Sequence, residues 1–198
     1  MKGSAESEKG QTVSPEEVLL ERAAGGDAQA LAGLYDRFCG MLLGLATKIL
    51  GNPSDAEDVL QEVFIQVWNQ ASRYQRSRSS VSTWLVLITR SRSIDRLRSR
   101  NVKLRTANAA QRENVRLHAS NEGLGNVLLT ERHGRITQAM QELPDDQRQA
   151  LEMAYYQGMT QREIAEATGT PLGTVKTRTL LAMRKLRSSL KGDIEDLL

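Results

Sequence analysis

Apolar residues return at three- and four-residue steps along most of the chain, the spacing of helices that each bury one stripe. A first helix is predicted over 15–24, capped by Ser14, with Glu16 and Glu17 in its first turn. Gly25, Gly26 and Asp27 break it. A second helix over 28–50 carries Leu31, Leu34, Tyr35, Phe38, Leu42, Leu45 and Ile49, while Gly40 and Gly44 leave room for close packing or a kink. Gly51, Asn52 and Pro53 end it, and Ser54 opens a third helix with Glu57 in the capping-box place. There Val59, Leu60, Val63, Phe64, Val67 and Trp68 form the predicted buried stripe, opposite a polar face of Asp55, Asp58, Gln61 and Glu62. Residues 74–80 have no period. A fourth helix over 83–100 turns Trp84, Leu85, Leu87, Ile88, Ile94 and Leu97 inward and most of Arg90, Arg92, Arg96, Arg98 and Arg100 outward.

The stripe then stops. Residues 101–126 are polar, rich in Asn, Gln, Ser and Gly, and read as a linker. Beyond it Leu129, Ile136, Met140 and Leu143 line one helix, which must end before Pro144. Asp145 and Asp146 begin the next, with Ala150, Leu151, Ala154 and Tyr155 inward and Gly158 closing it. Residues 160–187 read as two short helices around a tight turn. Thr160 and Glu163 form a capping box, Ile164 and Ala165 face inward, and Gly169 supplies the turn. Thr170 is expected to cap the last helix, with Pro171 at its first position and Val175, Ala182, Met183 and Leu186 packed inward. The expected fold is all-α: two small helical domains joined by a flexible linker, the second containing a helix-turn-helix. The boundaries are a disordered tail at 1–15, a first domain at 16–100, the linker at 101–126 and a second domain at 127–198.

Charge changes this picture more than composition does. The 198 residues are 39% hydrophobic and 26% charged, so folding is expected, but 4% aromatics predict thin cores. A net charge of +3 is small, yet its distribution is one-sided. Between Arg73 and Arg105 ten basic residues face one acid, Asp95, whereas 16–62 is mostly acidic. From Ala167 to Gly192 there is no acid, while Lys176, Arg178, Arg184, Lys185, Arg187 and Lys191 are basic. A short helix, a glycine turn and a basic second helix suit duplex DNA better than a plain helical hairpin with a solvated face. The Ser/Arg loop and basic fourth helix, with Tyr74 and Trp84 near, suit unpaired nucleic acid; Trp84 itself reads more readily as core.

Catalytic motifs are missing: there is no glycine-rich phosphate loop, HExxH or CxxC, and His118 and His133 are isolated. Asp55, Asp58 and Glu62 could hold Mg²⁺ as a nuclease would, but their spacing is that of any exposed helix. No enzyme, metal or cofactor is therefore expected. Cys39, the only cysteine, lies in an apolar run that predicts a buried thiol in a reducing compartment. No membrane span or signal peptide is apparent, so a cytoplasmic location is expected.

Three segments resemble a known family. They are DAEDVLQEVFIQVW at 55–68, STWLVLITRSRSIDRLR at 82–98, and the series Leu143, Pro144, Arg148, Leu151, Tyr155, Tyr156, Gly158, Glu163, Ile164, Ala165, Gly169 and GTVKTR at 173–178. Together they are similar to the extracytoplasmic-function sigma factors of bacterial RNA polymerase. The resemblance implies a non-catalytic protein that binds core RNA polymerase, directs it to promoter DNA and helps to open it; members of the family are commonly held inactive by an anti-sigma factor, so such a partner is implied as well. It implies core polymerase contacts at Asp55, Asp58, Gln61 and Glu62. It implies contacts to the downstream (−10) element from Tyr74, Arg76, Arg78, Ser80, Arg90, Ser91, Arg92 and Arg98. The upstream (−35) element would meet Pro171, Leu172, Gly173, Thr174, Lys176, Thr177, Arg178 and Leu181, and the linker would run toward the RNA exit path. The chain departs from the family pattern where Gln75, Arg76, Ser79 and Ser80 replace its usual Asp-Pro and Gly-Ser, at Ser91 for a common Asn, and at Leu181 for a frequent Arg. The rival reading is a stand-alone helix-turn-helix regulator that binds duplex DNA as a dimer and uses neither the 55–68 surface nor melted DNA.

Overall fold

A computed structural model describes residues 13–107 and 127–190, with side chains described over 13–102 and 134–190. The described residues are helical, in two groups. The first holds α1 (Pro15–Ala24), α2 (Ala28–Leu50), α3 (Pro53–Gln70), a 3-10 turn (Ala71–Arg73) and α4 (Val81–Ala107); the second holds α5 (Val127–Gln141), α6 (Asp145–Tyr155), α7 (Gln161–Thr168) and α8 (Leu172–Ser189).

The helix starts follow local chemistry. Glu17 N–H donates to Ser14 Oγ at 3.2 Å while Ser14 N–H donates to Glu17 Oε2 at 2.8 Å, a closed capping box for α1. Asp27 accepts from the N–H groups of Gln29 and Ala30 at the start of α2. The α3 cap lies two residues earlier than the sequence pattern indicates. Asn52, not Ser54, accepts from Asp55 N–H at 3.2 Å, and Pro53 takes the first helical position, where its missing N–H costs no hydrogen bond. The last helix also starts differently. Pro171 itself is the cap residue of α8, its carbonyl accepting from Thr174 and Val175, and the Thr170 side chain caps nothing. Pro171 sits at φ −55°, ψ 139°, so the chain enters the helix one residue later than expected.

The central helix of the first group is α2, which lies against α1, α3 and α4. Leu20, Leu34, Leu42, Ile49, Leu50, Val59, Val63, Val67 and Leu85 are fully buried there. Burying one such side chain is worth about 1.5–3 kcal/mol, so these nine set the rigidity of the scaffold. Thr89 and Ser93 are buried among them and donate to the carbonyls four residues back, at 2.9 and 2.8 Å, which satisfies both hydroxyls. The second core is thinner: Ala139, Leu143, Ala150, Ile164, Val175 and Ala182 are its buried members.

Several stripe positions are not buried. Trp68, Leu87, Ile136 and Met183 are exposed, because the helices present wider apolar arcs than their neighbours cover. Cys39 is half-buried rather than buried. Gly44 makes no close crossing, since a Cβ there would meet nothing within 4 Å, and α2 runs unbroken through Gly40 and Gly44. The fourth helix continues past Arg100 to Ala107, so the expected linker begins inside it. The rest of that linker, the tail at 1–12 and Lys191 lie outside the described residues.

Candidate nucleic-acid and partner interfaces

The acidic face of α3 is a charge ladder rather than a row of free acids. Because α3 and α4 run antiparallel, Asp55, Asp58 and Glu62 meet Arg100, Arg96 and Arg92 in turn. The Arg96 guanidinium reaches Asp58 at 2.7 Å, Asp55 at 3.2 Å and Glu62 at 3.3 Å. Arg92 lies 3.5 Å from Glu62 and donates to Gln66 Oε1 at 2.8 Å. Arg100 pairs with Asp55 at 3.4 Å and donates to the Leu50 carbonyl at 3.1 Å. Such half-exposed pairs each contribute on the order of 0–1 kcal/mol, so the ladder fixes helix register more than it stabilises. Gln61 is exposed, and so are Ile65 at 63% and Trp68 at 38%, one helical turn further along. This apolar pair is absent from the residues the sequence singles out for contact. Its signal was there: the five neighbouring apolar positions from Val59 to Val67 already fill the face toward α2.

The loop before α4 is held by its own side chains. Tyr74 Oη donates to the Ser79 carbonyl at 2.8 Å, and its ring packs on Trp84 with centroids 5.7 Å apart. Burial, then the nearby Glu17 carboxylate, push the Tyr74 hydroxyl pKa up. Arg76 is paired with Glu17 at 3.2 Å, which ties the loop to α1. Ser80 Oγ accepts from Thr83 N–H at 3.3 Å and lies within hydrogen-bond distance of the Ser82 and Thr83 hydroxyls. Arg78 occupies the exposed turn. Beside the loop opens a cleft of about 300 Å³, lined by Gln66, Trp84, Leu87, Ile88, Ser91 and Arg92. Trp84 packs partly against the first core and partly forms this wall.

Two of the expected contacts on α4 point elsewhere. Arg90 donates to the carbonyls of Ala154 and Tyr155, and Arg98 donates to the Gly158 carbonyl. The other residues of that set, Tyr74, Arg76, Arg78, Ser80, Ser91 and Arg92, belong to the loop and the cleft.

In the helix-turn-helix, Thr160 and Glu163 close a second capping box, and Gly169 turns the chain at φ +63°. The first turns of α8 then present Gly173, Thr174, Lys176 and Thr177 to solvent, with Leu181 exposed one turn on and Leu172 half-buried behind Pro171. The Thr177 hydroxyl donates back to the Gly173 carbonyl at 3.0 Å. Arg178 is held from behind: its Nε lies 2.9 Å from Asp146 Oδ2, and Nη1 lies 3.4 Å from Thr170 Oγ1. Sequence spacing could not show that partner, because Asp146 is contributed by α6.

Family models match both groups: "Sigma-70 region 2" over residues 34–102 and "Sigma-70, region 4" over 133–186. An ECF RNA polymerase sigma factor SigK from Mycobacterium sp. (strain KMS) is 32% identical, the match covering 88% of this chain and 90% of that protein. A SigK from Mycobacterium ulcerans is also 32% identical, covering 87% and 91%. Among solved structures, that of Rhodobacter sphaeroides SigE with the anti-sigma ChrR is 28% identical, covers 90% of this chain and 99% of that one, and has a TM-score of 0.44. Among the described residues no helix is long and apolar enough to cross a membrane.

Proposed function

Because the chain belongs to the extracytoplasmic-function group of the sigma-70 family, which is regulatory and not enzymatic, we propose a division of labour between its two helical groups in promoter recognition. The outer surface of α3 docks on core RNA polymerase through Asp58, Gln61 and Glu62, with Ile65 and Trp68 as its apolar centre and Asp55 holding the ladder beneath. The loop at 74–80 and the cleft of Ser91 and Arg92 take the melted strand of the −10 element. The first turns of α8 enter the major groove of the −35 element. An anti-sigma factor completes the expected partners; it would cover the docking surface.

The observation that carries this reading is the α3 surface, where exposed Ile65 and Trp68 adjoin exposed polar groups that no DNA-binding role requires. A lone helix-turn-helix regulator has no use for it. Exposed apolar residues beside partly neutralised charge suit a protein partner, whereas uniformly basic α8 suits phosphate. Opening promoter DNA costs about 1–2 kcal/mol per stacked step, so a cleft that receives an unstacked base offsets part of that cost.

The test is a binding comparison. Trp68→Ala and Glu62→Lys should each weaken binding of the full chain to core RNA polymerase by roughly tenfold, the scale of one central interface residue, while leaving duplex affinity unchanged. Tight duplex binding with no polymerase binding by the parent protein would replace this reading with that of the stand-alone regulator.

A further inference from the structure

Glu17 stands at the third position of α1, and its two carboxylate oxygens serve different ends. Oε2 accepts from the Ser14 N–H at 2.8 Å, and the Glu17 N–H donates back to Ser14 Oγ at 3.2 Å, so the capping box fixes where the carboxylate stands. Oε1 lies 3.2 Å from Arg76 Nε, in the loop before α4. The Glu17 side chain is 14% exposed and that of Arg76 37%, so the acid is set into the surface and the arginine reaches down to it. After burial, the same carboxylate is the next cause of the raised Tyr74 hydroxyl pKa, so its charge is felt at two residues of the loop. Other bonds close the loop on itself and on the turn before it. Tyr74 N–H donates to the Ala71 carbonyl at 3.1 Å, Tyr74 Oη to the Ser79 carbonyl at 2.8 Å and Arg78 N–H to the Gln75 carbonyl at 3.0 Å. Glu17 joins this loop to a different element. Arg78 differs from Arg76: it is exposed in the turn and has no ion pair among the described residues.

We propose that Glu17 is a positioning residue for the strand-binding loop: fixed by the α1 cap, it pins Arg76 and so presets the loop, leaving Arg78 as the loop's phosphate contact. The inference rests on the proposed function for the strand that the loop receives, and on geometry alone for the tie. A half-exposed ion pair adds little to stability, because two long side chains must be ordered to make it. Here the cap has already ordered one partner, so the pair acts chiefly on where the other stands. The family pattern has proline where this chain has Arg76, so the ion pair supplies through a side chain a restraint that a ring would place on the backbone. A loop preset before the strand arrives has less freedom to lose on binding, which raises affinity without a new contact. The two arginines of the loop thus divide the work: Arg76 spends its charge on Glu17, and Arg78 keeps its charge for the strand.

Hydrogen exchange in the full chain tests the tie. Glu17→Gln keeps the capping box, since the amide oxygen still accepts from the Ser14 N–H, but loses the ion pair. Amides at 74–80 should then exchange faster by up to about fivefold, the scale of one such pair, with those of α1 unchanged. Arg76→Ala should give the same increase, and the double variant no more than either alone. Loop exchange that is equal in the parent and in Glu17→Gln overturns the tie, and so does a double variant whose increase is the product of the two. The phosphate contact is read from binding of the holoenzyme, formed with core RNA polymerase, to a bubble-containing DNA enriched from a random pool on the parent. Arg78→Ala should flatten the salt slope by about one counterion. Glu17→Gln and Arg76→Ala should each lower affinity, Arg76→Ala at an unchanged slope. An affinity that Glu17→Gln leaves alone, or a slope that flattens with Arg76→Ala, overturns the assignment. If the parent holoenzyme enriches no DNA, the proposed function fails, while the exchange rates still decide the tie by themselves.

Discussion

Arg178 shows how one residue's neighbour decides its use. Its charge faces Asp146 at 2.9 Å, so α8 presents less positive charge than its sequence promises. Asp146→Ala should release the guanidinium toward phosphate. Duplex affinity should then rise, with a salt slope steeper by about one counterion; an unchanged slope in fluorescence anisotropy across a salt series would place Arg178 outside the DNA contact. Lys176→Ala should do the reverse, flattening the slope by about the same step. Tyr155 gives a second residue-scale expectation. Its hydroxyl is pushed up by burial and then by Tyr156, against a smaller opposing effect of Arg90. A raised value means the folded state resists ionisation that the unfolded chain accepts. Tyr155 therefore contributes its full stability below the ordinary tyrosine value of about 10 and loses it as pH rises through the raised one. Denaturant midpoints of the parent should fall across that alkaline window, and those of Tyr155→Phe should fall less.

At the scale of elements, the helix ends are the most local features and the most legible. Ser14 with Glu17, Thr160 with Glu163, and the turn glycines at 51, 158 and 169 could be read because a cap or a positive φ depends on residues within one turn. Thr160→Ala should cost about 1 kcal/mol of stability, measured by chemical denaturation. Asp27 is a cap with a pH dependence. Its carboxyl is held below the ordinary range, first by the Arg22 hydrogen bond and then by the Ala30 N–H. Its support for α2 is thus complete above the usual aspartate range and lost as pH falls through the lowered value. Less legible was what each helix faces. Periodicity shows which residues share a face but not how wide an arc the neighbours cover, so it puts Trp68, Leu87 and Met183 inside although the fold leaves them exposed. It equally cannot show that α3 and α4 pair acid to arginine, since the partners are 30 to 45 residues apart. The α3 surface and the recognition helix were recognisable as segments; Ile65, Asp146 and the diversion of Arg90 and Arg98 needed the fold.

For the whole molecule, function depends on separating two grips. In the proposed reading, one helical group offers α3 to a protein and a loop with a cleft to an unpaired strand. In the same reading, the other offers α8 to a duplex. Neither alone gives a polymerase a start site, because −10 and −35 elements lie apart on the promoter and must be held together. If this chain gives core RNA polymerase promoter specificity, run-off transcription with purified core enzyme will show it. Discrete transcripts should appear that require this protein, start at defined sites and disappear with Trp68→Ala at limiting protein. Tight, sequence-selective duplex binding with no protein-dependent transcript would contradict it.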